Sequence, residues 1–524
     1  MATTSARLMT GYLTEREELT AIKPQCPRSQ RAPDASDVWR VGTQFEAMDI
    51  SNRCPSLSFS GHTSINHDTW DWLATSAAKP GPNLGTPPQS PQTTTNPSVP
   101  LVSNWSLADT ETRDGSRTND DGGRERAVSV IRRELVLDRT AESNALPFVL
   151  QGFGAWVGRL ALDPVKLTGI VRNFVCSHFG DGDESRWIIG LLANVGSRVG
   201  SVEFVEGRSN YMISMLQTAV RRRLGTSNAR RHTLIQALSS AIEAIIMQFY
   251  ASPLSEAMTL MYESAPIFRQ LCSDAPDAPV DLLSLLRDPQ GCLWHFAYID
   301  IIFSVLTDMP TLCQYEVTIP GSQPSPPYRL AQKSEGDSVI QWLHGVPDQL
   351  VLAFAHMNSI RGDGFTPDED TVASLERAIR EIPPFSGSSS DRFLTIIRSI
   401  VQECWRQAAL IYLYMAVCGE PSDTPRVKEA CRRYMQLLNG TKPGRSPDEF
   451  LILTLQLISP AVQRPRDREV LKQRALGLYT RDRTHISTTF ITFVMADVWA
   501  RADAEKRPVI WSDVATSRRK LLGI

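Results

Sequence analysis

The stretch Trp294–Tyr315, W-H-F-A-Y-I-D-I-I-F-S-V-L-T-D-M-P-T-L-C-Q-Y, constrains this chain more than any other. Phe296, Ile299, Ile302, Phe303 and Leu306 recur at helical spacing, which predicts a buried helix. A residue that precedes proline is pushed out of the α region, so the helix is expected to end near Asp308, ahead of Pro310. One carboxylate, Asp300, lies in the middle of this apolar run. A buried acid needs hydrogen bonds or a partner charge. Asp300 is therefore either satisfied by a neighbouring segment or turned to the surface. With no chemical partner nearby in sequence, a structural role is the expectation.

The rest of the chain divides at about residue 125. Before it no hydrophobic period is sustained, and Lys79–Pro100 is rich in Pro, Ser and Thr. Such a composition buries too little apolar surface to fold, so residues 1–125 are expected to be a mostly disordered arm. Within it, His67–Leu73 interleaves Asp68 and Asp71 with Trp70 and Trp72, the pattern of either an acidic-aromatic activation segment or a sticky turn. From residue 126 onward helical spacing takes over, and the prediction is an all-α fold: one large multi-helix domain over 126–524. Pro147 is expected in the first turn of one helix and Ser185 at the cap of another. A helix over Tyr211–Arg223 should end in three arginines, where cations suit the helix dipole. Together with Arg230 and Arg231 they form either a nuclear-import patch or a solvated helix-turn junction, the latter being the plainer reading. Leu282–Leu286 spells L-x-x-L-L, read here as core. Arg361-Gly362-Asp363 reads as a helix exit with glycine at the cap.

Composition excludes several function classes. The formal net charge is -2, from 55 basic and 57 acidic side chains, so no global field draws the chain to nucleic acid or membrane. The nine cysteines form no C-x-x-C, and an odd, scattered set argues against a disulfide scaffold. Met1–Thr20 holds no long apolar stretch, so no signal-peptide core is expected, and no segment reads as a transmembrane span. The eight histidines include no H-x-x-x-H or H-E pair, and no P-loop, G-x-S-x-G or dinucleotide-binding glycine run occurs. Gly152-Phe153-Gly154 follows no strand. Cys292 and His295 share a helix face at i, i+3, and without a third group they read as packing. No catalytic residue, no metal ligand and no cofactor is assigned, and an enzyme is not expected.

Several stretches resemble one family. An aromatic-rich helix carrying Asp300 and running into Pro310-Thr311 and then Tyr315 resembles the middle of the fungal-specific transcription factor domain, the regulatory region of fungal binuclear zinc-cluster activators. Leu146–Leu150 with Trp187, Gly345-Val346-Pro347-Asp348, Trp405–Tyr414 and the tail from Asp497 to Asp513 resemble it in the same order. The resemblance covers Leu146 to Ile524. It implies a nuclear transcription regulator whose helices contact coregulators or a DNA-binding partner, or a second copy of the chain, and which sense a metabolite between them. The rival readings are a helical scaffold that never touches chromatin and a metabolite-sensing or enzymatic helical domain. Lys23-Pro24-Gln25-Cys26-Pro27-Arg28-Ser29 resembles the closing half of the family's zinc cluster, with Ser29 where the last cysteine belongs. A binuclear site needs several thiolates, so this stretch is either coincidence or a decayed remnant, and no zinc is expected. Unless a zinc cluster lies upstream, DNA is then reached only indirectly. Trp405 is expected to be buried against the central helix.

Overall fold

Apolar residues at helical spacing produce helices throughout the computed structural model, which describes residues 137, 141–201, 208–225, 230–275, 278–289, 291–317, 338–364, 366–385, 391–481 and 486–522. The arm at 1–125, the stretch at 23–29 and the acidic-aromatic segment at 67–73 lie outside them. Among the described residues the first six α-helices are α1 (Ala145–Leu160), α2 (Pro164–Gly180), α3 (Asp183–Ser201), α4 (Arg208–Leu224), α5 (Arg231–Ala251) and α6 (Leu254–Leu271). After β1 (Val280–Asp281) come α7 (Leu282–Arg287), the central helix α8 (Cys292–Thr307) and β2 (Tyr315–Glu316). The second half contains α9 (Val339–His344), α10 (Asp348–Asp363), α11 (Glu369–Arg380) and α12 (Arg392–Tyr412), which runs into a π-turn at Leu413–Val417. Then follow α13 (Pro425–Asn439), α14 (Arg445–Ile458), α15 (Pro465–Arg481), α16 (Ile486–Glu505) and α17 (Ser512–Leu522). Among the described residues the only strand pairing is the two-residue parallel match of Val280 with Tyr315 and Asp281 with Glu316. The fold is all-α.

Local chemistry sets the helix ends. Pro164 and Pro425 open α2 and α13, where a missing N–H costs nothing. Asp281, Ser338, Asp368 and Asp391 each accept a hydrogen bond from a backbone N–H in the first turn of the helix that follows. Ser185 is not a cap: α3 begins two residues earlier, and the Ser185 hydroxyl donates to Asp181. The glycine that ends α10 is Gly364, not Gly362, because Gly364 adopts the left-handed conformation (φ 80°). Gly345, between α9 and α10, needs both of glycine's properties. Its φ is +72°, and a Cβ there would lie 2.6 Å from Val401 Cγ1 and 2.9 Å from Leu162 Cδ2.

Helices α1 and α3 make the closest helix pair. A Cβ on Gly152 would meet the Ala193 carbonyl oxygen at 2.7 Å, and one on Gly200 would meet that of Ala155 at 2.6 Å. Gly152 therefore serves backbone approach, not nucleotide binding. Helix α5 is long and apolar enough to cross a membrane, contrary to the reading of its sequence. Its apolar residues, from Leu234 to Met247, are buried against the rest of the fold.

Buried ion pairs join the early helices to the late ones. Arg159 of α1 donates to Glu449 of α14 at 3.0 Å with both side chains 1% exposed, and also donates to the Val199 carbonyl of α3. Arg398 of α12 faces Asp163 at 4.0 Å, its guanidinium stacked over the Trp342 and Phe385 rings. The Leu162 and Asp163 amides donate to the Leu343 and Trp342 carbonyls. Within the late half, Arg474 of α15 binds Asp448 of α14 at 2.6 Å and donates to the Leu438 and Thr441 carbonyls at the end of α13. The described residues up to Leu521 fall within a single compact unit.

Candidate functional site

Helix α8 is buried along almost its whole length, Phe303 being its one half-exposed residue. A helix apolar on every side must be enclosed by neighbours, and the segment after it folds back onto it. Asp300 accepts from the Leu312 amide at 2.9 Å, the Cys313 amide at 3.3 Å and the Tyr315 hydroxyl at 2.7 Å. The acid is satisfied by its own downstream segment, which makes its role structural. No cation meets it there, and burial outweighs the three donors, pushing its carboxyl up to about 6. Beside it lies a cavity of about 10 Å³ walled by Met258, Met261, Tyr262 and Met309, no larger than one water.

The end of α8 gathers residues from three further stretches. Asp308 takes the left-handed conformation (φ 57°) and accepts from Trp511 Nε1 at 2.9 Å and from Arg361 at 2.5 Å. Arg361 also donates to the Tyr412 hydroxyl, which donates to Asn358. Arg518 donates to the Thr307 carbonyl at 2.6 Å, filling one of the helix's open acceptors. The rings of Phe354, Tyr412 and Trp511 pack edge to face at 5.7 and 5.1 Å. At the other end of α8, Trp294 Nε1 donates to Asp348 at 3.0 Å, and Ser338 donates to the same carboxylate at 2.8 Å. Asp300, Tyr315, Asp348, Tyr412 and Trp511 thus all serve one purpose: they fasten other segments onto the central helix. Trp405 is 1% exposed and its ring meets Phe354 of α10 at 6.2 Å, a helix that itself packs on α8.

His295 packs as a core residue. It lies with Tyr298 and His344, ring centroids 5.8 Å (His295–His344) and 5.0 Å (Tyr298–His344) apart. Burial lowers the two imidazoles to about 4 and about 3. Leu282, Leu283 and Leu285 of the L-x-x-L-L stretch are buried, as the core reading expects. The arginine junction is less solvated than its sequence suggests. Arg223 is 3% exposed and binds Gln236 and Asp181, while Arg221 and Arg222 pair with Glu263 and Glu184. Among the described residues no three His, Cys, Asp or Glu side chains are grouped to hold a metal ion, and the seven described cysteines are free thiols.

A larger concavity of about 240 Å³ opens between α11, the α12–π-turn junction and α13. Arg380, Arg426 and Arg433 border it, Glu429 shares the rim, and Gln407 and Tyr414 line it. The π-turn, closed by the Cys418 amide on the Leu413 carbonyl five residues back, inserts an extra residue beside Tyr414. Gln407 is 3% exposed; its amide N–H donates to Glu403, and its carbonyl oxygen has no partner. Nothing in the sequence marks this concavity, because its polar residues come from three helices whose spacing reads as ordinary solvent-facing surface.

Residues 284–522 match a protein family described as the fungal specific transcription factor domain. No curated protein and no solved structure matches the chain. The matched span begins within α7 and takes in the central helix with Tyr315, Asp348, Tyr412 and Trp511, while α1 to α6 precede it.

Proposed function

We propose, from the match of residues 284–522 to the fungal specific transcription factor domain, that this protein is a nuclear transcription regulator of the zinc-cluster family acting through its helical domain. The observation that carries the reading is the span of the match, which contains Asp300, Asp348, Tyr412 and Trp511, the residues that fasten the domain onto α8. We take the regulatory domain to extend over 126–524, since Arg159 and Asp163 reach into the matched span through buried ion pairs. Residues 1–125 would be its arm. Transcription factor domains of this kind bind and regulate, and none of the polar clusters above pairs a nucleophile with a base.

Contact with DNA passes through a partner in this reading. Affinity for duplex DNA comes from phosphate-neutralising cations and a reading element in a groove. The chain is charge-balanced, its densest arginine cluster is engaged with Glu184, Glu263 and Asp181, and Cys26 stands alone at 23–29. The partners are coregulators, a DNA-binding protein or a second copy of the chain. The test is a tethering assay: the full chain fused to a heterologous DNA-binding domain changes reporter expression several-fold, and the tagged chain enters nuclei. An unchanged reporter together with exclusion from nuclei under all growth conditions overturns the reading in favour of a cytoplasmic helical scaffold.

A further inference from the structure

We infer that the concavity between α11, the π-turn and α13 is the binding site of a small zwitterion of the amino-acid class, with one carboxylate, one N–H donor and a short apolar or aromatic body. Three observations converge on it. The first is size: about 240 Å³ suits a ligand of that class. The second is charge. Arg380, Arg426 and Arg433 each pair with one glutamate, Glu376, Glu420 and Glu429 respectively. A guanidinium carries five N–H donors, so one carboxylate contact leaves donors that can take a second. Because every arginine has its glutamate, the site as a whole is near neutral, which disfavours a polyanion and suits a ligand carrying both signs.

The third is polarity at the floor. Gln407 is all but fully buried and its carbonyl oxygen is unpartnered, and such a group is costly to leave unsatisfied. Glu429 on the rim supplies a second acceptor. A ligand ammonium or hydroxyl answers Glu429 and, once the Gln407 amide turns toward the cavity, its carbonyl oxygen too; the ligand's carboxylate answers the arginines, and its body rests on Leu410 and the Tyr414 ring. Arg426 already lies over that ring, 4.9 Å from its centre. The extra residue of the π-turn sets Tyr414 at the cavity, a geometry that recurs at functional sites in helices.

This inference does not depend on the regulatory reading, because it is read on the purified chain and not on a reporter. Each of the twenty free L-amino acids is titrated into the full chain calorimetrically. At least one binds with a Kd below about 1 mM, an affinity within reach of a few charge-assisted hydrogen bonds. Gln407→Leu and Arg433→Gln each weaken it at least about tenfold. The control is Arg432→Gln, which pairs with the same Glu429 but does not line the cavity, and it leaves the Kd unchanged. Should Gln407→Leu fail to fold, Arg433→Gln decides alone, its side chain being half exposed. Absence of binding by all twenty at about 10 mM overturns the proposal, as does binding that Arg433→Gln leaves intact or that Arg432→Gln weakens equally.

Discussion

Two kinds of buried charge hold this fold together, and they sit in different places. At the helix junctions, Glu449 of α14 meets Arg159 of α1 and Asp448 of α14 meets Arg474 of α15, cation against anion with 4% exposure or less. On the central helix, Asp300 meets only neutral donors, and His295, with His344 of α9 beside it, meets no anion among the described residues. The first arrangement ties different helices together, 290 and 26 residues apart in sequence, with strong, directional contacts. The second leaves each group's ionised form opposed by desolvation, so all three are held toward neutrality: the acid is raised, and the bases are lowered. The junction is therefore sensitive to losing a partner, and the central helix to pH.

The largest effect follows from the junction. Glu449→Leu strands Arg159 in the core and is expected to cost about 3–5 kcal/mol in urea unfolding at neutral pH. The double variant Arg159→Met/Glu449→Leu replaces both charges with apolar volume and recovers most of that loss. If the double variant is no more stable than the single, the pair contributes through its other contacts, the Val199 carbonyl and the Tyr250 ring, and the contrast with the central helix weakens.

The two arrangements also differ in how far the sequence discloses them. The buried character of α8, its end near Asp308 and the structural role of Asp300 were readable, because everything that decides them lies within about one helix length. Asp300 and its partners Leu312, Cys313 and Tyr315 are at most 15 residues apart. Arg159 and Glu449 are 290 residues apart, and nothing local says which of many arginines meets which glutamate. The same limit applies to Arg223, whose burial is decided by Gln236 on the next helix, and to the unpartnered Gln407. Gly152 was visible as a glycine, but its purpose depends on Ala193, across the α1–α3 contact. The membrane-like composition of α5 shows the converse: a run of apolar residues tells that a helix is enclosed, not by what.

Next in size is the acid response of the histidines. Their folded-state values, about 4 for His295 and about 3 for His344, lie below the ordinary 6.5. For a lowered base the stability it contributes is present above pH 6.5 and is lost as pH falls toward the folded value. His295→Phe should remove one such contribution, flattening the decline between pH 6.5 and about 4 by roughly 2–3 kcal/mol. Equal slopes for variant and parent would mean that His295 takes up its proton in the fold as readily as in the unfolded chain.

Asp300 runs the other way. Its folded value of about 6 lies above the ordinary 3.8, so its contribution is full below pH 3.8 and is lost as pH rises through about 6. Asp300→Asn keeps one acceptor for three donors and should cost roughly 1–3 kcal/mol. That cost should be greatest near pH 4 and smallest above pH 7. A cost that grows with pH would show that the three donors outweigh burial.

The smallest effect is expected where the two kinds of charge meet, at Asp308. Its carboxylate has a cation, Arg361, yet both side chains are partly open to solvent, at 12% and 28% exposed. Screening reduces what such a pair contributes. Asparagine also tolerates the left-handed backbone that Asp308 adopts, and its side-chain oxygen can still accept from Trp511 Nε1. Asp308→Asn should therefore cost only about 1 kcal/mol. Asp308→Val, which keeps neither acceptor and puts a β-branched residue at φ 57°, should cost about 2 kcal/mol more. If the asparagine variant falls as far as the valine variant, the ionic contact with Arg361 carries this end of α8. The neutral fastening seen at Asp300 would then stop short of the helix terminus.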